Sequence, residues 1–84
     1  MSEPRAHYAS DHAQQRAIER LGFAPTVGQW RSAALAIMDS VDGRARALLV
    51  QRDRDCEQWR VHIGGRAALV VWSPTRAIVV TVLS

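Results

Sequence analysis

The sequence predicts an α+β fold in which two N-terminal helices precede a four-stranded antiparallel β-meander. In the first half of the chain, apolar residues recur at three- and four-residue intervals, which is the period of an amphipathic helix. The second half changes to short aliphatic and β-branched stretches separated by brief links. Such links join antiparallel neighbours, because a parallel crossover needs a dozen residues or more.

The chain is expected to form one domain over residues 1–84, with residues 1–6 disordered. Its 84 residues, 48% hydrophobic and 23% charged, are enough for one modest core. No apolar run approaches the roughly 20 residues of a membrane helix, and we expect no hydrophobic signal core. The single cysteine, Cys56, excludes an internal disulfide and fits a reducing compartment. We therefore predict a cytoplasmic protein with no membrane contact.

The first helix is predicted over residues 10–21. Ser10 or Asp11 can cap its start, and Gly22 is a typical helix end. One side of this helix is a narrow stripe of small and apolar residues, namely Ala9, Ala13, Ala17 and Leu21. Such a stripe allows close approach to a neighbouring element.

The second helix is predicted over residues 27–39. Pro25 prevents continuation of the first helix, and Thr26 has the side chain of an N-cap. Turn-forming residues follow at 39–43, with Gly43 as the stop. The expected apolar face consists of Trp30, Ala33, Ala34, Ile37 and Met38.

Four strands are predicted over residues 46–52, 57–63, 66–72 and 76–83. The Gly64–Gly65 link is typical of a tight hairpin. The second strand alternates, so the helices should cover its apolar side and leave Arg60 and His62 on the open face. The last strand is apolar on both faces, which predicts that another segment or a second subunit covers it.

All eleven basic residues are arginine, and the net charge is +3. Phosphate contacts would therefore use permanently charged guanidinium groups, and no lysine is available as a nucleophile or base. This charge permits a nucleic-acid partner without requiring one.

His12, Arg16 and Arg20 follow one another at four-residue spacing, and we call them the basic row. On a helix they stack with about 40° between successive members, at the rim of the buried stripe. Tyr8 begins the same row and could stack on a base or bind phosphate. An imidazole beside arginines could act as a general acid or base while the arginines bind a phosphate. Alternatively, the row is a solvated face, with Glu19 pairing to an arginine.

A second basic set, Arg60, His62 and Arg66, surrounds the predicted hairpin. Its histidine could complete an acid–base pair across a cleft, or the set could be ordinary polar alternation. Thr81 is the one hydroxyl in an apolar strand and could position a substrate oxygen, or simply favour the strand.

Metal and cofactor sites are not predicted. His7 and His12 are five residues apart, which does not align them on a helix, and no cysteine pair assists. The sequence has no phosphate-binding glycine loop. The three tryptophans, Trp30, Trp59 and Trp72, lie in apolar patterns that favour core or interface positions over base stacking.

Three stretches, "HAQQRAIERLG", "WRVHIGGR" and "AIVVTVL", carry a resemblance over nearly the whole chain. In order and spacing they resemble small bacterial and phage domains of the barnase–EndoU–colicin–RelE-like ribonuclease fold group. The resemblance implies a RelE/EndoU-like fold and metal-independent RNA cleavage, or an RNA- or protein-binding derivative. By position it makes His12 the acid or base, Arg16 and Arg20 phosphate ligands, and Thr81 a substrate-positioning hydroxyl.

The predicted function is therefore that of an RNA-directed protein, an endoribonuclease of toxin-like or phage-borne type. Catalytic roles are expected for His12, Arg16, His62 and Thr81, and substrate contacts for Tyr8, Arg20, Arg60 and Arg66. The acid-rich turn with Asp53, Asp55 and Glu57 should repel RNA from its edge of the sheet.

The alternatives are a non-catalytic, phage-encoded inhibitor of a host protein and a small homodimeric structural protein. Expected protein partners are an antitoxin, a host target or a second copy bound through the last strand. An enzyme needs His12 and an arginine in one accessible cleft, whereas wide separation of His12 from His62 would favour the inhibitor.

Overall fold

The computed structural model describes residues 8–40 and 47–84, and it confirms two helices followed by a four-stranded antiparallel sheet. Predictions for residues 1–6, for Gly43 and for the start of the first strand at residue 46 lie outside the described residues. The elements are α1 (Asp11–Leu21), α2 (Val27–Met38), β1 (Leu48–Arg52), β2 (Glu57–Ile63), β3 (Arg66–Ser73) and β4 (Ile78–Val82).

The ends of α1 follow from two residues that the sequence singled out. Ser10 is the N-cap, since its Oγ accepts a hydrogen bond of 3.0 Å from the backbone N–H of Ala13. Gly22 closes the helix in the left-handed region at φ 86°, a conformation that glycine adopts without strain.

The start of α2 is a reciprocal capping box. The Gln29 N–H donates to Thr26 Oγ1 over 3.1 Å, and the Thr26 N–H donates to Gln29 Oε1 over 2.9 Å. The helix ends at Met38, with Asp39 as its C-cap, one residue before the predicted end.

The sheet has the order β1-β2-β3-β4, and every neighbouring pair is antiparallel. In its centre, Trp59 pairs with Val70 and Arg60 pairs with Leu69. Because side chains alternate along a strand, these two pairs lie on opposite faces.

Both helices cover one face of this sheet, with α1 against β4 and α2 against β2. Trp30, Trp59 and Trp72 are buried in the resulting core, as their apolar patterns predicted. The Trp30 Nε1–H donates to Gln14 Oε1 over 2.6 Å and so joins α2 to α1. In the described part of the chain, no helix has the length and apolarity to cross a membrane.

The outer edge of β4 is covered by the chain itself. Residues 8–10 run beside it, where Ser10 N–H donates to Val79 O over 2.9 Å and Val79 N–H donates to Tyr8 O over 2.8 Å. Another segment of the chain, one of the two covers that the apolar pattern predicted, thus pairs with β4 at Val79. At the other edge of the sheet, all five residues of β1 are exposed.

The β3–β4 turn is longer than predicted, so that β4 begins at Ile78 instead of residue 76. Ser73, predicted to begin the link, is the last residue of β3, and its carbonyl accepts a 2.7 Å hydrogen bond from Ala77 N–H. Ala77 adopts φ 56°, which ends the turn before the strand can start.

The hairpin glycines provide a stability prediction. Gly64 has φ +60°, and an added Cβ would lie 2.8 Å from Gln29 Nε2 and 3.1 Å from the Phe23 ring. We expect Gly64→Ala to lower the free energy of unfolding by about 1–3 kcal/mol through backbone strain and this crowding. Gly65→Ala is the control. Gly65 has φ +85°, but an added Cβ there would meet nothing within 4 Å, so this variant should lower the free energy of unfolding by less than Gly64→Ala does. Equal losses in urea unfolding would mean that the contact with Gln29 and Phe23 is irrelevant.

Candidate functional site

The basic row lies on the flank of α1 that faces away from α2. Ala13 points into the core, and Gln14 points to α2, where its Nε2 donates to Pro25 O over 3.3 Å and its Oε1 accepts from Trp30. Residue 14 lies about 100° round the helix from residue 13 in one direction, and residue 12 lies about 100° in the other. His12, and with it the row, therefore occupies the opposite flank.

This flank borders β4 at the edge of the sheet. The Ser10 Oγ that caps α1 also donates a 2.8 Å hydrogen bond to Val80 O. One hydroxyl thus fixes the first turn of α1, which carries His12, beside the residue that precedes Thr81. The sequence predicted the cap, but nothing in it indicated the bond to β4.

Within the basic row, His12 and Arg20 are exposed and Arg16 is half-buried. Arg16 Nη1 lies 2.8 Å from Glu19 Oε1, with 39% of the arginine side chain and 48% of the glutamate side chain exposed. Such an exposed pair contributes little stability. A guanidinium has five N–H donors, so this pairing leaves the group able to bind a phosphate as well.

Two of the predicted substrate-contact residues serve the fold around α1. Arg66 Nη1 donates to Leu21 O over 2.9 Å, satisfying a carbonyl at the C-terminal end of the helix. Tyr8 is half-buried against the core, and its carbonyl pairs with Val79. Both residues hold the helix that carries the basic row.

The remaining predicted residues lie on the open face of the sheet. Arg60 and His62 are exposed and alternate with buried residues of β2. Thr81 is half-buried and pairs with Val71, which in turn pairs with Gln58 of the same face. The predicted set is therefore divided between the helix-covered side and the open side.

His12 and His62 do not share a cleft. His12 is in the first turn of α1, whereas His62 adjoins the β2–β3 hairpin, where Arg66 binds the last residue of α1. The length of α1, about 16 Å from the rise per residue, lies between these two ends. The sheet also separates the two side chains, because His62 alternates with the buried Val61 and Ile63.

An open cavity of about 570 Å³ lies between the first turns of α2 and the hairpin, with Gln29, Ser32 and His62 among its lining residues. The backbone N–H groups of Thr26 and Gln29 at this helix start are already hydrogen-bonded in the capping box. No member of the basic row lines the cavity.

The acid-rich turn between β1 and β2 is at the opposite edge of the sheet from the basic row. Its Glu57 accepts hydrogen bonds from Arg52 Nε at 3.1 Å and from Trp59 Nε1 at 2.9 Å. The edge that should repel an anion is thus remote from the row. Within residues 8–40 and 47–84, no three His, Cys, Asp or Glu side chains are grouped as metal ligands.

Comparison with protein-family models, with curated proteins and with solved structures finds no match to this chain.

Proposed function

We propose that the protein is RNA-directed and binds the phosphate backbone through the basic row. The observation that carries the proposal is the position of His12, Arg16 and Arg20 on one accessible flank of α1, at the sheet edge remote from the acid-rich turn. The resemblance to the barnase–EndoU–colicin–RelE-like group supports the same assignment. We place the activity in the cytoplasm, which suits the unpaired Cys56.

The spacing of the row suits a chain of phosphates. Residues four apart on a helix are displaced by about 6 Å along its axis, which is close to the distance between neighbouring phosphates of an RNA strand. Arg16 and Arg20 can therefore contact successive phosphates, while His12 lies one turn before them.

The chemistry that this arrangement favours is transesterification without a metal. The His12 imidazole takes the proton of a ribose 2′-hydroxyl, and the 2′ oxygen bonds to the adjacent phosphorus. The 5′ oxygen leaves and takes a proton from water, giving a 2′,3′-cyclic phosphate and a 5′-hydroxyl. Arg16 and Arg20 stabilise the charge on the phosphorane. Thr81 lies on the open face of the sheet, across from His12, and takes no part in the step. His62 has no role in this scheme.

Salt-dependent binding of a labelled, mixed-sequence RNA in EDTA tests the phosphate contacts. Arg20→Ala should weaken binding whatever the sequence, and it should reduce the slope of log affinity against log salt by about 1, because one phosphate contact is lost. Arg31→Ala is the matched control, since it removes an equal charge from an exposed position on α2. Equal losses in both variants would indicate non-specific attraction and contradict a site on α1.

A second candidate function, a protein-binding module without catalysis, is favoured by the separation of His12 from His62. Its partner would be an antitoxin or a host target. Failure of the wild-type protein to bind or cleave RNA, with its fold intact, would favour this function over the first.

A further inference from the structure

We propose that β1 is a dimerisation edge, at which two copies of the chain pair antiparallel and form one continuous eight-stranded sheet. The proposal is independent of the RNA-directed function, because β1 lies at the opposite edge of the sheet from β4 and the basic row.

The exposed strand β1 begins with three apolar residues. Leu48, Leu49 and Val50 are 63%, 37% and 46% exposed. Leu48 pairs with Arg60 on the open face and Leu49 with Trp59 on the helix-covered face, so apolar side chains are exposed on both faces. Edge strands of monomeric proteins normally carry charges or proline to prevent pairing with other chains. Here the charge comes only at the end of the strand, at Arg52, whose Nε is bound to Glu57.

At the other edge of the sheet, β4 already has a pairing partner. Residues 8–10 pair with β4 at Val79, and the Ser10 hydroxyl also donates a hydrogen bond to Val80 O. Among the described residues, β1 has a pairing partner only on its β2 side. In the part of the chain that the structure describes, a second copy therefore finds a full-length unpaired edge at β1 and not at the last strand.

The sequence of β1 is also complementary to itself in an antiparallel pair. With a two-fold axis between residues 49 and 50, Leu49 faces Val50 of the second copy. Leu48 then faces Gln51, and Ala47 faces Arg52, so no like charges are directly opposite. The pairing irregularity between Leu49 and Gln51 lies at this axis, so both copies would twist there in the same way.

The expected dimer is weak. Pairing of two five-residue strands buries less than the roughly 800 Å² per partner of a standard interface, so we expect a dissociation constant of about micromolar order.

Sedimentation equilibrium of the RNA-free protein, from micromolar to submillimolar concentration, tests the proposal. The wild-type mass should approach that of two chains, and Val50→Lys should raise the dissociation constant at least about tenfold by placing like charges near the axis. Leu35→Lys, at an exposed position of α2, should leave the dissociation constant of the dimer unchanged. A monomeric wild-type protein would overturn the proposal, as would a dimer that Val50→Lys leaves intact. Dissociation by Leu83→Lys alone would place the interface at β4.

Disulfide trapping tests the register. In a Cys56→Ser background, Leu49→Cys and Val50→Cys proteins are mixed under mild oxidation. The mixture should form a disulfide-linked heterodimer more readily than either protein forms its own dimer, because residues 49 and 50 face each other across the axis. Preferential self-linking of Val50→Cys would refute this register. Circular dichroism verifies that each variant is folded.

Discussion

His12→Ala is expected to lower the rate of RNA cleavage in EDTA by about 10²–10⁴-fold, the usual contribution of a general acid or base. The His12 imidazole is exposed on the first turn of α1, at the start of the basic row. Its removal takes away the group that accepts the 2′ proton in the proposed reaction. Cleavage of an end-labelled DNA oligonucleotide that carries a single ribonucleotide measures the rate, and binding of the all-deoxy oligonucleotide, which cannot be cleaved, shows whether affinity is retained.

His62→Ala is the matched control for this experiment. His62 is also an exposed histidine, but it lies on the open face near the hairpin. Its loss should change the cleavage rate less than about twofold, an effect typical of a surface residue outside the site. Similar losses of cleavage rate in both variants would mean that the substrate contacts both faces of the sheet. Undiminished cleavage by His12→Ala would show that His12 takes no part in the chemistry.

Trp30→Ala should lower the free energy of unfolding by about 3–5 kcal/mol, the cost of emptying a large core position. Trp30 is 3% exposed, packs between α2 and the sheet, and loses its bond to Gln14 in this variant. The total stability of a chain of this size is roughly 4–13 kcal/mol, so the variant should lose a large fraction of it.

Urea unfolding followed by circular dichroism checks this result, with Leu35→Ala as the control on the same helix. Leu35 is 39% exposed, and its truncation should lower the free energy of unfolding by much less than Trp30→Ala does. A loss below about 1 kcal/mol for Trp30→Ala would show that α2 contributes little to the core.

The sequence was sufficient to predict most of the fold because its local signals agree with one another. The caps at Ser10 and Thr26 act over three residues, and the hairpin at Gly64–Gly65 depends on φ values that glycine readily adopts. The predicted start of β4 was wrong by two residues, because the turn depends on a Ser73–Ala77 hydrogen bond and on a positive φ at Ala77. Neither feature has a sequence signature.

For the candidate site, the sequence predicted the helix position of the basic row but not its surroundings. Periodicity placed His12, Arg16 and Arg20 together, since that relation is local. It could not show that Arg66 binds Leu21 O, or that His62 lies beyond the far end of α1, because both facts depend on how the helices dock on the sheet. The catalytic and binding roles themselves remain predictions.

The bond between Ser10 and Val80 joins residues 70 positions apart, so we expect the surface carrying the basic row to form late in folding. The hairpins of the sheet can close locally, whereas α1 packs mainly on β4, the last strand of the chain. The long loop that must close carries an entropy cost that the early contacts do not repay. An isolated fragment with α1 alone would keep the spacing of the row but lose its orientation, so the proposed RNA-binding surface belongs only to the fully folded domain.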